Sequence, residues 1–239
     1  MFEKKVAYKE SNLFLKLEKE KFFETAYSSL LRSRAELEEY LSFHPLFGSS
    51  LEPVEVEEDA PLVVKLMAEA AEKTGVGPMA AVAGAIAEVI LRDVVAEGCG
   101  FAIIENGGDI AMLVNKPARV AVYAGSSPFS GRIWFEVKPE ETPVGVCTSS
   151  GTVGHALSFG SADAAVAFAD GAALADAAAT AIGNIVKDDN VREAAEFARR
   201  LPIRGAVVIK GRSIAACGRI PHIVKGEGLP EYFYKEFFE

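Results

Sequence analysis

The spacing of hydrophobic and polar positions changes several times along the chain. Residues 4–16 alternate in the manner of two short strands, joined by a turn at residues 10–12. Over residues 18–43 the apolar positions recur at helical spacing, with charged residues between them. His44-Pro45 ends this pattern, because proline lacks an N–H and restricts the residue before it. The N-terminal part is therefore predicted as a β-hairpin followed by a long amphipathic helix.

Two further helices are predicted before the pattern becomes strand-like. Residues 45–60 are predicted as a loop, and the next helix is predicted to begin at Asp59 or Pro61 and to end at about Lys73. Pro78 suits the first position of the following helix, and Gly98 suits its C-terminal stop.

After Gly98 the pattern is typical of strands. Segments 100–106 and 109–115 flank Gly107-Gly108, which predicts a β-hairpin. The remaining predicted elements are strands over 119–125, 131–137, 144–150 and 163–169, helices over 171–186 and 191–200, and a hairpin over 204–218. No internal repeat is evident. Because strands follow strands more often than they alternate with helices, the order predicts an α+β fold with mainly antiparallel sheets and packed helices. We expect one domain over 1–239, organised either as a single unit or as two intertwined lobes.

Composition and charge narrow the function classes. The chain has 239 residues, 50% of them hydrophobic, and a net charge of -9. No dense basic patch is present, which argues against nucleic-acid binding. The three cysteines are far apart and form no CxxC, so reduced thiols in a cytoplasmic protein are expected. The sequence shows no signal peptide and no uncharged apolar run long enough to span a membrane.

The loop CTSSGTVGH over 147–155 is the first candidate for chemistry. Its small residues leave backbone N–H groups accessible, and its hydroxyls can donate, so it suits a phosphate or pyrophosphate. The predicted phosphate-binding residues are Ser149, Ser150, Gly151 and Thr152. His155 at the end of the loop could contact a phosphate or a base, or act as an acid or base near neutral pH. The alternative is an ordinary Ser/Gly-rich surface turn.

Asp176 and Thr180 form a second candidate site. They lie four residues apart, and so on one face, of an alanine-rich helix that is predicted to be buried. A buried carboxylate is costly unless it is paired, hydrogen-bonded or bound to a cation. A carboxylate with a hydroxyl suits a hard cation such as Mg²⁺, which can bridge to substrate phosphates. The alternative is that Asp176 is a helix-start residue that accepts backbone N–H bonds.

The sequence Asn106-Gly107-Gly108-Asp109 is a third candidate. Such residues form tight hairpin turns, which is a sufficient reason for their presence. Asp109 could still face a ligand site if the turn lies at the rim of that site.

Three segments together resemble the ApbE superfamily. They are NGGDI (106–110), CTSSGTVGH (147–155) and LADAAATAIGN (174–184), in the order in which that superfamily has its GGD hairpin, TSG loop and ADALATA helix. The residues of these motifs are most similar to those of the UPF0280 branch. The resemblance implies a T-fold-like α+β architecture.

The resemblance also implies ligands and roles. ApbE proper is a Mg²⁺-dependent transferase that moves FMN from FAD onto a protein threonine. Its metal ligands match Asp176 and Thr180, and the residues that face its flavin match Gly107, Gly108, Asp109, Ser149, Ser150 and Gly151. We therefore expect Mg²⁺ and FAD or a related nucleotide as ligands, with Asp176, His155 and Asp109 as candidate catalytic residues.

The chain departs from the ApbE pattern in one wall of the expected site. The run GPMAAVAGAIAE replaces a DLGGxxKG helix start, with Ala83 in place of the lysine and Glu88 in place of a following aspartate. Residues 156–159 also differ from the ApbE sequence. These departures argue against FMN transfer itself, although Glu88 stays a candidate cofactor-binding residue.

Two functions remain open at this point. The first is a metal-dependent transferase or hydrolase that acts on a flavin or other nucleotide pyrophosphate. The second is a non-catalytic ligand-binding or accessory protein with a protein partner, which the resemblance connects with sulfide assimilation and homocysteine synthesis. Either function is compatible with a homo-oligomer.

Overall fold

The computed structural model describes residues 1–152, 159–226 and 228. The strands in these residues are β1 (Phe2–Tyr8), β2 (Ser11–Leu17), β3 (Ala102–Asn106), β4 (Asp109–Leu113), β5 (Ala118–Ala121), β6 (Ile133–Val137), β7 (Val144–Ser149), β8 (Ala164–Ala169), β9 (Gly205–Lys210), β10 (Ser213–Gly218) and β11 (His222–Lys225). The α-helices are α1 (Phe22–Phe43), α2 (Pro45–Ser49), α3 (Leu62–Thr74), α4 (Val82–Ala96), α5 (Ala172–Ile185) and α6 (Val191–Ala198). Short 3₁₀ turns cover Pro78–Ala81 and Pro139–Glu141.

An eight-stranded sheet forms the centre of the fold. Its strand order is β1-β2-β3-β4-β7-β8-β9-β10, and every neighbouring pair is antiparallel. A second sheet has the order β11-β6-β5. The prediction of an α+β fold with mainly antiparallel sheets is therefore confirmed.

The two faces of the large sheet contact different layers. Val146 and Phe168 belong to a core shared with the small sheet, where the rings of Phe135 and Phe168 are 4.8 Å apart, edge to face. The alternate positions, such as Cys147 and Ala167, belong to the core shared with the helices. Small side chains on this face allow α5 to lie close to β7 and β8. The molecule is thus a layer of helices, a large sheet and a small sheet.

The large sheet consists of two similar halves. In the first half, the hairpin β1–β2 is followed by helices and then by the hairpin β3–β4. In the second half, the hairpin β7–β8 is followed by α5 and α6 and then by the hairpin β9–β10. The halves join where β4 pairs with β7, with Ile110 opposite Val146. The sequence shows no such repeat, because the two halves share strand order without sharing residues.

Some element predictions are wrong in detail. Residues 45–49, predicted as loop, form the short helix α2, because Pro45 is well placed at a helix start and Phe47 is buried beside Tyr40. Residues 78–81 form a 3₁₀ turn, and the α-helix begins only at Val82. Strand β11 was not predicted, because a four-residue strand depends on its partner β6 rather than on its own pattern.

None of the helices in the described part of the chain combines the length and the apolar character that crossing a membrane requires.

Candidate functional site

The candidate residues meet at one end of the large sheet, near the junction of its halves. Because neighbouring strands are antiparallel, the β3–β4 turn, the segment after β7 and the β9–β10 turn all lie at this end. The register pairs Ile110 with Val146 and Ser149 with Ala165. Alternation along β4 places Asp109 on the same face as Ala111, which belongs to the helix-side core.

Asp109 is a buried carboxylate with an unused oxygen. It accepts hydrogen bonds from the Cys147 thiol and the Thr148 N–H. Among the described residues, its Oδ1 has no hydrogen-bond partner. Burial raises the pKa of Asp109 well above its usual range, and the nearby charge of Asp176 raises it further. A buried acceptor that lacks a donor is costly unless a ligand, a proton or a cation satisfies it.

Asp176 lies in α5 and faces the start of α4. Its Oδ2 accepts the Gly84 N–H at 2.9 Å. The residue as a whole is half-buried, yet its carboxyl group is shielded enough that burial raises its pKa to about 7. The N–H groups of Gly84 and Ala83 act in the opposite direction, because they stabilise the ionised form.

The close approach of α4 to α5 depends on Gly84. A Cβ on Gly84 would lie 2.3 Å from the Ala172 carbonyl oxygen and 2.7 Å from the Asp176 Cβ. A helix face that carries small residues can admit another helix or a ligand. In the structure the neighbour is helix α5.

Glu88 has the reciprocal role at the start of α5. Its Oε2 accepts the Ala173 N–H at 3.0 Å, and its Oε1 accepts from the Arg92 guanidinium at 2.5 Å. Each helix thus supplies a carboxylate to the N-terminus of the other, where neither helix has a side-chain cap of its own. Both Glu88 oxygens are therefore engaged within the protein, which leaves a ligand role for this residue without direct support.

The alternative role for Asp176 was that of a helix-start residue that accepts backbone N–H bonds. Asp176 does accept a helix-start N–H, but that N–H belongs to α4 rather than to its own helix. Only Oδ2 is used in this bond, so the cap and a cation site are compatible.

Asp109, Asp176 and Thr180 are a suitable donor set for a hard cation. Thr180 is half-buried and lies one helical turn after Asp176. In residues 1–152, 159–226 and 228 no group of three or more His, Cys, Asp or Glu side chains is arranged to hold a metal. Mg²⁺ commonly uses one or two protein carboxylates, with the other positions taken by hydroxyls, water and phosphate oxygens. A bound cation would give Asp109 Oδ1 the partner that it lacks among the described residues. It would also stabilise the ionised form of Asp176 and so lower its raised pKa.

The predicted phosphate loop uses its backbone donors internally. The Gly151 N–H donates to the Ala162 carbonyl at 2.9 Å, and the Thr152 N–H donates to Ser150 Oγ at 3.2 Å. Ser149 lies beside α5, with its Oγ 3.5 Å from the position that a Cβ on Gly183 would take. The predicted cradle of free N–H groups at Gly151 and Thr152 is therefore not formed, and the Thr152 hydroxyl donates to Asp163 Oδ1 at 3.3 Å.

Gly107 and Gly108 form the turn between β3 and β4. Both have positive φ, 64° and 102°, which is the reason for glycine at these positions. A side chain there would meet open space, so the turn leaves room at the rim of the site. His155 lies outside the described residues, and its proposed role stays a prediction.

Two residues of the site were not assigned a role from the sequence. Cys147 contacts Asp109, and its Sγ also lies 3.3 Å from the Ala172 carbonyl oxygen. Burial raises its pKa well above the usual range, and the charges of Asp109 and Asp176 add to this, so it stays a protonated thiol. Asn106 donates from Nδ2 to the Ala83 carbonyl at 3.2 Å and so ties the hairpin to α4. Both are the first residues of the motifs at 147–155 and 106–110, which is the signal that could have found them.

We expect the stability of the cation-free protein to fall as pH rises through about 7. Asp176 has a folded-state pKa of about 7, above the ordinary value of 3.8, so the folded state holds a proton that the unfolded state releases. That contribution is complete below pH 3.8 and is lost as pH rises through 7. Urea unfolding of wild type and Asp176→Asn from pH 5 to pH 8 checks this. The wild type should lose stability relative to the variant by a few kcal/mol, and a constant difference would contradict it.

Comparisons with known proteins identify the family. A family model described as "AbpE bacteria" matches residues 3–202. The UPF0280 protein of Methanococcus aeolicus is 43% identical, over 98% of this chain and 99% of its own length. The UPF0280 protein of Methanocaldococcus jannaschii is 43% identical, over 94% of this chain and 93% of its own.

Solved structures share the fold. The apo flavinyl transferase ApbE of Pseudomonas stutzeri has a TM-score of 0.61 at 14% identity, covering 99% of this chain and 96% of that one. The ApbE protein of Thermotoga maritima has a TM-score of 0.58 at 12% identity, covering 100% of this chain and 99% of that one. These likenesses establish the architecture, and the chain is a member of the UPF0280 family of ApbE-like proteins.

Proposed function

We propose that this protein binds a flavin or another nucleotide pyrophosphate together with a divalent cation, where the halves of its large sheet meet. The observation that carries the proposal is the pair Asp109 and Asp176. Two shielded carboxylates with raised pKa values lie close together, and Asp109 Oδ1 has no hydrogen-bond partner in the part of the chain that the structure describes. An uncompensated pair of this kind is costly for stability, and such groups cluster at functional sites.

Mg²⁺ is the cation that these groups fit best. Asp176 and Thr180 would hold it, and Asp109 would add its Oδ1, which no group of the described residues hydrogen-bonds. When bound, the cation would offset the negative charge of a pyrophosphate and polarise its P–O bonds. The protein itself would contribute the Ser149 hydroxyl at the start of the 149–152 loop, which can orient a phosphate oxygen. The likeness to a flavinyl transferase supports a flavin nucleotide as the first ligand to test.

The reaction class that we propose is transfer or hydrolysis at the pyrophosphate, in the cytoplasm. Purified protein with FAD and Mg²⁺ should release FMN and AMP, as resolved by liquid chromatography, and EDTA should stop the release. An Asp109→Asn variant should lose most of the activity, because the amide presents a donor toward the cation side. Turnover that is equal in wild type and this variant would rule out the proposed site.

One observation favours the alternative of a binding or accessory protein. Glu88, which replaces an acid of the ApbE pattern, has both oxygens engaged by Ala173 and Arg92. Ala83 supplies no side-chain charge at the position of the ApbE lysine. Tight binding of FAD in the presence of Mg²⁺ without any product over many hours would favour this alternative over catalysis.

A further inference from the structure

A lysine lies beside the 149–152 loop, although it is distant from that loop in sequence. Asp163, a buried residue at the start of β8, joins the two segments. Its Oδ2 accepts the Gly211 N–H at 2.6 Å, and its Oδ1 accepts the Thr152 hydroxyl at 3.3 Å. The Lys210 Nζ lies 3.6 Å from that same Oδ1. The Thr152 hydroxyl and the Lys210 ammonium therefore both lie beside Asp163 Oδ1.

The Lys210 ammonium makes no hydrogen bond to the described residues. A separation of 3.6 Å is longer than a hydrogen bond, so Asp163 attracts the ammonium without accepting a hydrogen bond from it. An ammonium has three N–H donors, and in residues 1–152, 159–226 and 228 none of them has an acceptor at hydrogen-bond distance. The side chain is 24% exposed, which leaves the ammonium accessible but limits its positions.

The loop needs such a cation if it is to hold a phosphate. Its Gly151 and Thr152 N–H groups donate to the Ala162 carbonyl and to Ser150, so they are unavailable to a ligand. Hydroxyls alone carry no net charge, whereas a phosphate carries negative charge and is bound most strongly by charge-assisted donors. Lys187, also near the loop, already donates to the Phe159 carbonyl at 3.0 Å.

We propose that Lys210 is a phosphate-binding residue of the ligand site, held beside the loop by Asp163. This inference rests on the proposed function, because it assigns the pyrophosphate end of the same ligand. It places the pyrophosphate between the 149–152 loop and the β9–β10 turn. Asp163 is a positioning residue in this arrangement, since it contacts Thr152, Lys210 and Gly211 rather than the ligand.

Calorimetric titration with inorganic pyrophosphate and with FAD, each with Mg²⁺, tests the inference. Lys210→Gln should weaken both ligands by about tenfold, the size of one charge-assisted hydrogen bond. Lys210→Arg should retain most of the affinity. Lys73→Gln is the matched control, because it removes the same charge from an ion pair of the same length, 3.6 Å to Glu69, at an exposed position of α3. It should leave both affinities unchanged.

The variant Asp163→Asn separates binding from a purely structural ion pair. Its side-chain oxygen can still accept the Gly211 N–H, so the β9–β10 turn should persist. If Lys210 binds phosphate, Lys210→Gln lowers affinity in the Asp163→Asn background as well. If the pair is only structural, Lys210→Gln lowers the melting temperature and leaves both affinities unchanged, which overturns the inference.

Failure of the proposed function gives a different result. If the wild type binds neither pyrophosphate nor FAD, both proposals fall together. If pyrophosphate binds in a manner that depends on Lys210 while FAD is not turned over, the inference stands and the proposed catalysis fails. If FAD is turned over equally by wild type and Lys210→Gln at limiting FAD, the catalysis stands and the inference fails.

Discussion

An Asp176→Asn variant is expected to lose Mg²⁺ binding by about a hundredfold or more, because changes to groups that only support a ligand already cost roughly 10–100-fold. In the absence of metal, the same substitution should raise the folding stability rather than lower it. At pH 8 the variant should be more stable than the wild type, since it no longer holds an ionised carboxylate in a shielded position. The Asn oxygen can still accept the Gly84 N–H, which lies 2.9 Å from the present carboxylate.

Thermal melting with and without Mg²⁺ measures both effects at once. The wild type should gain stability with Mg²⁺ in a concentration-dependent manner, and the variant should not. Asp189→Asn is the control, because Asp189 is exposed in the segment between α5 and α6 and its loss changes the net charge equally. If Asp176 were only a helix cap, Mg²⁺ would change the melting temperature of neither protein.

A Gly84→Ala variant is expected to lose about 3 kcal/mol of folding stability, at the upper end of the usual cost of overpacking. The added methyl would lie 2.3 Å from the Ala172 carbonyl oxygen and 2.8 Å from the Ala172 carbonyl carbon. These are backbone atoms, so the strain can be relieved only if α4 and α5 move apart. That movement would lengthen the bond between the Gly84 N–H and Asp176, and cation affinity should fall with stability.

The matched control for this variant is Gly183→Ala. Gly183 also lies in a helix of this pair, but its added methyl would meet only ordinary contacts, at 3.5 Å from Ser149 Oγ and 3.7 Å from the Ala165 Cβ. Alanine has the higher helix propensity, so this variant should be unchanged or more stable by up to about 1 kcal/mol. Urea unfolding of both variants checks the prediction. Equal stabilities would mean that the α4–α5 distance adjusts freely.

The fold could be predicted from the sequence to a large extent. The change of period at residues 18–43, the Gly107-Gly108 turn and the alanine-rich helix each mark a local element, and local elements depend on nearby residues. Strand β11 and helix α2 were missed because both depend on contacts that are distant or specific, with β6 for the strand and with Tyr40 for Phe47.

The candidate site was only partly predictable. Asp109, Asp176 and Thr180 could be selected because their types and spacing suit a cation. Their proximity depends on the pairing of β4 with β7 and on the packing of α5, which no local pattern encodes. The use of the Gly151 and Thr152 N–H groups within the loop was not predictable either, since their acceptors include Ala162, at the far end of the connection. Lys210 was missed for a similar reason, because β9 reaches the loop only through its pairing with β8.

The exchange of carboxylates between α4 and α5 has a consequence for how the molecule unfolds. Glu88 completes the start of α5, and the N–H of Gly84 at the start of α4 is satisfied by Asp176. Since α4 belongs to the first half of the large sheet and α5 to the second, neither half can satisfy its own helix terminus when it is alone. The two halves are therefore coupled energetically and should behave as one cooperative unit, even though their strand order would suggest two independent ones.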